Sequence, residues 1–429
     1  MNESFPQAHT GSYYAATANR SIETSTLEGE HHCDVCIVGG GFTGITTALE
    51  LSEKGYKVMI VEANRVAWGA SGRNGGQLIG GIAGQKRLNT FQPEDKTEML
   101  WELGWLGNKI VKERVEKYNI DCDLKFGYID VAEKPRHYRQ FEEECEFLEK
   151  KNWPHEFRLV SKSEIFDEIG TDYYLGGMIN NANGHLHPLN LCLGEAAAAI
   201  ELGAQIFENS PVMRIEHGTK PRVHTASGFV QSDFVVVGGN AYHTLEHKNM
   251  GGIVFPAGSY IIGTEPLTEE QQKEIIPSDM AVCEMSHVLN YYRLSADKRM
   301  LFGGRCNYSG RDPASISASM LPRMLKIYPQ LKGARIDFEW GGKIGVVINR
   351  IPHLGRIGDN VFFAQGYSGH GVNVTHIVGN ILAEVVSGTS ERFDMFERVK
   401  HFRIPGDRMI GNNLVALGML YYRTLDLLP

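Results

Sequence analysis

Short apolar segments recur along the chain, and glycine-rich turns follow several of them. Residues 34–38 (Asp-Val-Cys-Ile-Val) and 57–61 (Lys-Val-Met-Ile-Val) are two of them, and residues 45–54 between them show helical periodicity. Strands without a polar face are typical of parallel sheets, because helices cover both sides of such sheets. The pattern therefore predicts a β–α–β unit. Similar segments at 234–237 and 361–365 predict two further strands of that sheet.

A different pattern occupies residues 255–349, where polar and apolar positions alternate and aromatic residues are frequent. This alternation indicates half-exposed antiparallel strands. We therefore expect an α/β fold: a Rossmann-like nucleotide-binding domain built from separated segments, and an interleaved α+β substrate domain with a mostly antiparallel sheet. The expected segments are an N-terminal arm on the surface (1–30), the nucleotide-binding domain (31–76, 185–254 and 350–390), the substrate domain (77–184 and 255–349) and a C-terminal helical tail (391–429).

The charge balance excludes one class of partner. The chain has 43 Lys and Arg against 51 Asp and Glu, a net charge of −8, whereas nucleic-acid binding needs clustered cations that contact phosphates. No apolar run reaches the roughly 18–20 residues of a membrane span, and residues 1–12 lack the apolar core of a signal peptide. The seven scattered cysteines fit a reducing compartment. We expect a cytoplasmic protein without a transmembrane segment that does not bind nucleic acid.

Many of the 48 glycines are clustered in three loops, and the first cluster has a recognisable spacing. Gly39-x-Gly41-x-x-Gly44 follows a predicted strand and opens a predicted helix, and Glu62 ends the next strand. In this context the three glycines allow a tight turn, a close approach to a pyrophosphate and close packing of helix on strand. The acidic residue binds ribose hydroxyls. The spacing therefore predicts a dinucleotide site.

The other two clusters are residues 69–77 and 366–371. The first can place amides and the Arg73 guanidinium around a polar ring edge. The second lies between a buried strand and a helix, and ligands bind at that position in open α/β sheets. Backbone amides at this helix start can stabilise negative charge, so we assign the loop's amides more weight than the imidazole of His370.

Two further patterns do not predict a site. Cys33 and Cys36 are three positions apart on a predicted strand, so their side chains point to opposite faces and thiol chemistry is not expected. His185 and His187 precede Pro188 at a helix start, and no further ligands of matching spacing accompany them. We expect packing or capping roles for both histidines and no metal site.

With these motifs, the sequence resembles the FAD-dependent D-amino-acid oxidase/sarcosine oxidase family. The resemblance rests on residues 34–44, 69–76, 185–188 (His-Leu-His-Pro) and 366–371 (Gly-Tyr-Ser-Gly-His-Gly), and it extends over nearly the whole chain. It implies a two-domain flavoenzyme with an FAD-binding domain. The expected reaction is oxidation of a primary amine, gamma-glutamylputrescine, by hydride transfer to flavin N5 and then to oxygen. The products are an aldehyde, ammonia and hydrogen peroxide, in a step of putrescine catabolism.

The resemblance also implies the residues that bind FAD. The glycines of the first motif meet the pyrophosphate, Glu62 the ribose, the backbone of Val212 the adenine, and the two later loops the isoalloxazine. The full set is Gly39, Gly41, Phe42, Thr43, Gly44, Glu62, Ala63, Ala70, Ser71, Arg73, Asn74, Gly75, Gly76, Gln77, Val212, Gly366, Gly369, His370, Gly371 and Val372.

The chain departs from the family at the reacting end. Sarcosine oxidases attach flavin through a cysteine and activate oxygen with a lysine, whereas Trp340 stands near the cysteine position here. We therefore expect non-covalent FAD, with Lys343 as the replacement for the oxygen-activating charge. Trp340 and Tyr292 are the other candidate catalytic residues. The candidate substrate-binding residues are Tyr260, Tyr291, Arg293 and Arg305, with either arginine holding a carboxylate by a bidentate contact.

Three alternatives stay open at this point. The substrate could instead be an N-methyl or D-amino acid. The enzyme could be a dehydrogenase that passes electrons to a membrane quinone, an idea prompted by the apolar stretch 414–428. The chain could also be a flavin-binding protein without turnover. The sequence leaves the oligomeric state open.

Overall fold

The computed structural model describes residues 7–286, 289–307 and 312–404, without the side chains of residues 305 and 306. The described strands are β1 (Gly29–Val38), β2 (Val58–Val61), β3 (Gln77–Leu78), β4 (Lys125–Phe126), β5 (Tyr128–Val131), β6 (Phe157–Val160), β7 (Gly177–Asn180), β8 (Gly184–His185), β9 (Gln205–Phe207), β10 (Arg214–Glu216), β11 (Arg222–His224), β12 (Gly228–Val237), β13 (Phe255–Pro266), β14 (Ala281–Glu284), β15 (Asn290–Leu294), β16 (Arg299–Asn307), β17 (Ile336–Val346), β18 (His353–Ile357) and β19 (Val361–Gln365). The α-helices are α1 (Tyr13–Ala16), α2 (Phe42–Glu53), α3 (Gln85–Asn89), α4 (Thr97–Lys117), α5 (Pro135–Lys150), α6 (Ile165–Ile169), α7 (Pro188–Glu201), α8 (Glu269–Glu274), α9 (Ile316–Ile327), α10 (Gly371–Val386) and α11 (Glu391–Glu397). Short 3-10 helices span Ala70–Gly72, Glu94–Lys96 and Pro329–Leu331.

The first sheet contains the predicted parallel strands. Its order is β10-β11-β12-β1-β2-β9, and β19 pairs with the second half of β12 and with β18. Val38 on β1 is in register with Val61 on β2 and with Val237 on β12, and Val237 is in register with Phe363. The carboxyl ends of β1, β2, β12 and β19 therefore lie along one edge of the sheet.

The second sheet has eight strands in the order β17-β13-β16-β15-β14-β5-β7-β6. Its pairings are antiparallel except between β5 and β14. Its strands come from 128–180 and 255–346, and those of the first sheet from 29–61, 205–237 and 353–365. The predicted fold class, a Rossmann-like domain with an interleaved, mostly antiparallel α+β domain, is confirmed.

Close helix packing covers the first sheet. Gly379 on α10 faces α2 so closely that a Cβ would lie 2.4 Å from Cγ2 of Thr46. Apolar residues of α2, α7 and α10 form one core with β1 and β2. A second core lies between the second sheet and α9. The first core also includes Ile261, Leu301 and Trp340 of the second sheet, so it joins the two sheets.

The N-terminal arm lies on the surface only in part, because residues 16–21 are exposed whereas Tyr13 and Tyr14 are buried. Tyr14 is fully buried, and its ring meets those of Trp340 and His187 at centroid distances of 5.3 and 5.0 Å. The Tyr13 hydroxyl donates to Asp297 at 2.8 Å. The tyrosine pair supplies enough aromatic area to bury this short helix, a tertiary effect that the polar composition of the arm conceals.

The expectations of no membrane span and no metal site can be compared with the structure only over the residues that it describes. Within residues 7–404, apart from the gaps, no helix is long and apolar enough to cross a membrane. The same residues contain no group of three or more side chains arranged to hold a metal ion. The stretch 414–428 and most of the predicted C-terminal tail lie outside the described residues.

Candidate active site

A cavity of about 620 Å³ lies at the carboxyl edge of the first sheet. Residues from all three glycine-rich loops line it, together with residues of the second sheet. One end is bounded by Glu62 and by the segment 211–213, and the other by Ser259, Tyr291 and Ile344 of the second sheet. The cavity therefore runs from the nucleotide motif to the second domain.

The first loop turns the chain from β1 into α2. Gly39 has φ +107°, and a Cβ on Gly44 would lie 2.0 Å from the Gly39 carbonyl oxygen. Gly41 is the N-cap of α2 and makes no side-chain cap. The start of α2 therefore presents backbone amides and a partial positive charge, an arrangement suited to a phosphate.

Glu62 follows β2 and lies directly beneath this turn. Its Oε2 accepts from the amide of Gly40 at 2.6 Å, and its Oε1 accepts from the amide of Asn64 at 2.8 Å. Burial raises the pKa of Glu62, and these two amides oppose the rise. Each carboxylate oxygen retains a lone pair that can accept a hydrogen bond from a hydroxyl group.

The second loop is held by its own side chains. The Arg73 guanidinium lies 4.2 Å above the Trp68 ring, and its Nε donates to the Trp68 carbonyl at 2.8 Å. Asn74 Oδ1 accepts from the amide of Gly76 at 2.8 Å, and Gln77 Nε2 donates to the carbonyl of Val282 at 2.9 Å. The last bond joins this loop to the second sheet.

The third loop leads from β19 into α10. Gly366 and Gly369 have φ +81° and +103°, and Ser368 also has a positive φ of +54°. His370 is the N-cap of α10 without a side-chain cap. Burial and then the charge of Arg350 lower the pKa of His370, so its imidazole is neutral near pH 7. The positive end of α10 therefore comes from backbone amides, as expected from the sequence.

The predicted cofactor-binding residues converge on this cavity. All of them line it except Gly44, Gly76 and Gly366, each of which packs too closely against neighbouring residues to admit a Cβ. The Thr43 hydroxyl and the Tyr367 hydroxyl are 2.7 Å apart and connect the first loop to the third. A cavity lined by bare glycine backbone, two helix starts and a carboxylate fits an adenine dinucleotide.

The described residues that the second sheet contributes to the cavity wall carry no formal charge. They are Ser259, Cys283, Leu289, Tyr291, Gly342, Ile344 and Gly345. The hydroxyls of Tyr291 and Ser259 are 3.1 Å apart. The Tyr291 ring is held between Gly75 and Gly303, where a Cβ would lie within 2.5 and 2.2 Å of Cε2. This wall is mostly apolar and carries one hydroxyl pair.

Two predicted tyrosines point away from the cavity, which corrects their proposed roles. Tyr260 is buried in the second core, and its hydroxyl donates to Asp312 at 2.9 Å. Tyr292 stacks on Phe302, and its hydroxyl donates to that of Tyr174 at 3.2 Å. Neighbours on a strand face opposite sides, so Ser259 and Tyr291 take the cavity side instead.

The other residues predicted at the reacting end of the site are Trp340, Lys343, Arg293 and Arg305. Trp340 and Lys343 do not line the cavity; the Trp340 indole donates to the carbonyl of Arg73 at 3.0 Å, and the Lys343 amide donates to the Tyr242 hydroxyl at 2.7 Å. Arg293 donates to backbone carbonyls and does not face the cavity. The side chain of Arg305 lies outside the described residues. Direct contact with substrate is thus not supported for Trp340, Lys343 or Arg293.

Sequence reasoning missed several lining residues. They are Ile79, Asn240, Tyr242, His243, Cys283, Leu289, Ile344 and Arg350. The pair Gly238-Gly239 after a buried strand was a signal for the loop 240–245, because it has the same form as the other glycine turns. Arg350 and Ile344 had no such local signal.

The chain matches the family model described as FAD dependent oxidoreductase (DAO) over residues 34–385. The chain belongs to this family. It is an FAD-dependent oxidoreductase, and FAD is its cofactor. It is 39% identical to gamma-glutamylputrescine oxidoreductase of Escherichia coli (strain K12), covering 97% of this chain and 98% of that protein. It is 40% identical to the probable oxidoreductase OrdL of Haemophilus influenzae, covering 98% of each.

Solved structures agree with the fold. Glycine oxidase from Geobacillus kaustophilus superposes with a TM-score of 0.71 at 21% identity, covering 87% of this chain and 100% of that one. At this identity the likeness concerns the fold alone.

Proposed function

We propose that the chain is an oxidase of a primary amine, gamma-glutamylputrescine, and that it produces an aldehyde, ammonia and hydrogen peroxide. One observation carries the proposal: the described residues that the second sheet contributes to the cavity include no cationic side chain. Oxidases of amino acids must hold a carboxylate beside the reacting carbon, and a cation serves that purpose best. A neutral wall favours an amine whose reacting carbon carries no carboxylate. The relative named gamma-glutamylputrescine oxidoreductase supports the particular amine.

FAD fits the cavity in one direction. The start of α2 from Gly41 onward would hold the pyrophosphate, Glu62 the ribose and the Val212 backbone the adenine. The isoalloxazine would then lie at the second sheet, beside residues 71–77 and the start of α10. When bound, the cofactor supplies two-electron oxidation of a C–N bond and return of the electrons to oxygen.

The neutral wall favours the unprotonated form of the amine and orients it. An ammonium nitrogen has no lone pair with which to form the C=N bond as hydride leaves the carbon, so the substrate must lose a proton before it reacts. Apolar surroundings such as Leu289 and Ile344 disfavour the charged form and lower the amine's pKa. The paired hydroxyls of Tyr291 and Ser259 offer a donor and an acceptor that orient the neutral nitrogen.

The overall reaction balances without a further co-reactant. One amine, one dioxygen and one water give one aldehyde, one ammonia and one hydrogen peroxide. The C–H bond on the amine carbon breaks and its two electrons finally reduce oxygen, while the nitrogen lone pair forms the C=N bond of an imine that water hydrolyses. The chain therefore needs to orient the amine and keep it neutral, and it needs no covalent intermediate with a side chain.

The experiment uses the purified holoenzyme. Anaerobic gamma-glutamylputrescine should bleach the flavin absorption within one turnover, and air should restore it with one equivalent of hydrogen peroxide. Sarcosine and D-alanine should bleach the flavin far more slowly, because the neutral wall leaves their carboxylates unpaired. Faster bleaching by either amino acid would contradict the proposal. Bleaching without reoxidation in air would identify a dehydrogenase, and a lack of bleaching by any amine would indicate a flavin-binding protein.

A further inference from the structure

Arg293 on β15 is a cation enclosed by backbone and only 1% exposed. Its Nε donates to the carbonyl of Gly75 at 3.0 Å, Nη2 to that of Leu186 at 2.7 Å, and Nη1 to that of Leu294 at 3.1 Å. Nη2 also donates to the Tyr14 hydroxyl at 3.3 Å. All of these partners are electrically neutral.

No carboxylate within the described part of the chain forms an ion pair with Arg293. The other buried arginine, Arg114, differs in this respect, since it pairs with Glu50 at 2.7 Å and with Glu195 at 2.8 Å. The titratable neighbours of Arg293 do not compensate it either. Burial, and then the Arg293 charge, lower the pKa of His185 and of His187 to about 3, so both are neutral.

The uncompensated charge lies one peptide group behind the cavity wall. Gly75 lines the cavity at its second-sheet end, and its carbonyl accepts the Arg293 hydrogen bond. Gly76, with φ +70°, is so close to the guanidinium that a Cβ would lie 2.7 Å from Nη2. The Tyr291 ring covers Gly75, where a Cβ would lie 2.5 Å from its Cε2. The loop is thus held between Arg293 and Tyr291.

A buried cation without a counter-ion is costly. The cost is offset if a ligand brings the opposite charge. Two-electron reduction of FAD with uptake of one proton leaves one negative charge on the ring. In a dry site a charge acts over several ångströms with little screening.

We propose that Arg293 is a positioning residue that holds Gly75 and Gly76 against the bound flavin and provides the positive charge that balances the reduced ring. It acts through the loop and does not touch the substrate. The inference concerns the cofactor and does not depend on which amine is oxidised.

The unaltered holoenzyme provides the first test. A site that favours the anionic ring must bind reduced FAD more tightly than oxidised FAD, because binding and reduction are linked. We expect at least about a 10-fold difference between the two dissociation constants. This difference places the two-electron potential of the bound flavin above that of free FAD. A bound potential at or below that of free FAD would overturn the proposal.

Substitution separates the charge from the hydrogen bonds. Sulfite adds to the flavin ring and makes it anionic, so its affinity reports the local charge without turnover. Arg293→Gln removes the charge but keeps a donor, and we expect sulfite to bind at least about 10-fold more weakly. Arg293→Lys keeps the charge and loses the guanidinium fork, and its sulfite affinity should stay within about 3-fold of wild type.

Arg114→Lys is the matched control, because Arg114 is also buried but ion-paired and does not line the cavity. It should lower the melting temperature and leave sulfite affinity unchanged. Equal weakening of sulfite binding in R293Q and R293K would show that only the hydrogen bonds matter and would refute the charge role. If R293Q does not retain FAD, the wild-type potential and R293K decide the question.

Discussion

Two buried charged residues of this protein, Glu195 and Arg293, differ in whether an opposite charge lies beside them. Glu195 on α7 is fully buried, and its Oε1 accepts from Arg114 Nη1 at 2.8 Å and from His376 Nε2 at 3.0 Å. Burial alone raises the pKa of Glu195, but His376 and Arg114 outweigh this effect and lower it to about 2. Arg293 has no such counter-ion. The first arrangement ties helices together, and the second leaves charge available to the cavity.

The depressed pKa of Glu195 predicts a pH dependence of stability. The carboxylate stabilises the fold fully above its unfolded pKa of 4.5, and this contribution is lost as the pH falls from 4.5 to about 2. The loss amounts to about 3 kcal/mol of unfolding free energy. Glu195→Gln should remove this component and cost about 3–5 kcal/mol at pH 7, because Arg114 loses a buried partner.

Urea unfolding at a series of pH values measures both effects. Glu113→Gln is the control: Glu113 forms an exposed ion pair with Lys109 at 3.8 Å, and its removal should change stability by less than about 0.5 kcal/mol. Parallel pH profiles for wild type and E195Q would contradict the assignment.

Arg350 provides a second prediction at the residue scale. It lines the cavity beside His370 and has a positive φ of +65°. We expect it to bind the carboxylate at the glutamyl end of the substrate. Arg350→Met should raise KM for gamma-glutamylputrescine at least about 10-fold, with little change in kcat, because one charge-assisted contact is lost.

Putrescine lacks that carboxylate, so its KM should be the same in R350M and wild type. Arg398→Met, at an exposed position that does not line the cavity, should alter neither constant. An equal rise in KM for both amines would place Arg350 in another role.

At the scale of elements, two helices begin at the cavity without side-chain caps. They are α2, after Gly41, and α10, after His370. Their N-cap residues provide no cap, although the first amide of α2, that of Phe42, donates to the Ser71 hydroxyl at 2.9 Å. The other amides of each first turn can bind an anionic ligand. Both helices begin at the carboxyl edge of the first sheet. This edge forms because β1 and β19 run parallel to β12 and end in register with it.

Gly44→Ala tests the packing of α2 on β1. The added Cβ would lie 2.0 Å from the Gly39 carbonyl, so α2 must move away from the turn. We expect at least about a 10-fold loss of FAD affinity, since a misplaced helix start weakens its contact with the phosphate. Fluorescence titration of the apoprotein with FAD measures this directly.

Gly218→Ala is the control, because a Cβ there meets nothing within 4 Å. It should bind FAD like wild type. Unchanged FAD affinity in G44A would mean that α2 tolerates the shift and that the close approach is not required for binding.

At the scale of the whole molecule, the cavity joins parts of the chain that are far apart in sequence. Its walls come from the first sheet, the second sheet, the three glycine-rich loops and the segments 211–213 and 240–245. A ligand that contacts all of these segments binds only the folded chain, so it stabilises both sheets together. Cys283 is a thiol on the wall, but burial raises its pKa, so it is protonated and a poor nucleophile.

We therefore predict that FAD is bound without a covalent link. Acid precipitation should release all of the yellow colour into the supernatant. Removing the cofactor from native protein should lower the unfolding free energy by about 4 kcal/mol relative to a solution with FAD at 1,000 times its dissociation constant. Differential scanning calorimetry with and without added FAD measures this difference.

Colour in the acid pellet would show a covalent link, and Cys283→Ser would then show whether that thiol provides it. Equal stability of the apoprotein and the holoenzyme would contradict the role of FAD in joining the two sheets.

Local sequence patterns were sufficient to predict the nucleotide half of the site. The turn at 39–44 and the helix that follows depend on neighbouring residues, so their spacing predicts both structure and ligand. The substrate half could not be predicted in this way. Tyr291 and Tyr292 are adjacent and equally aromatic, and the sequence contains no signal for which one faces the cavity.

The sequence by itself determined the fold class, the three glycine loops and the family, because strand periodicity and turn geometry are encoded over a few residues. Only the tertiary structure decided that Tyr14 is buried, that Ser259 and Tyr291 form the cavity wall, and that Arg293 lies behind the loop at Gly75. These features depend on the register between strands and on contacts between segments about 200 or more residues apart. Such contacts come from packing of the whole chain, which no local pattern records.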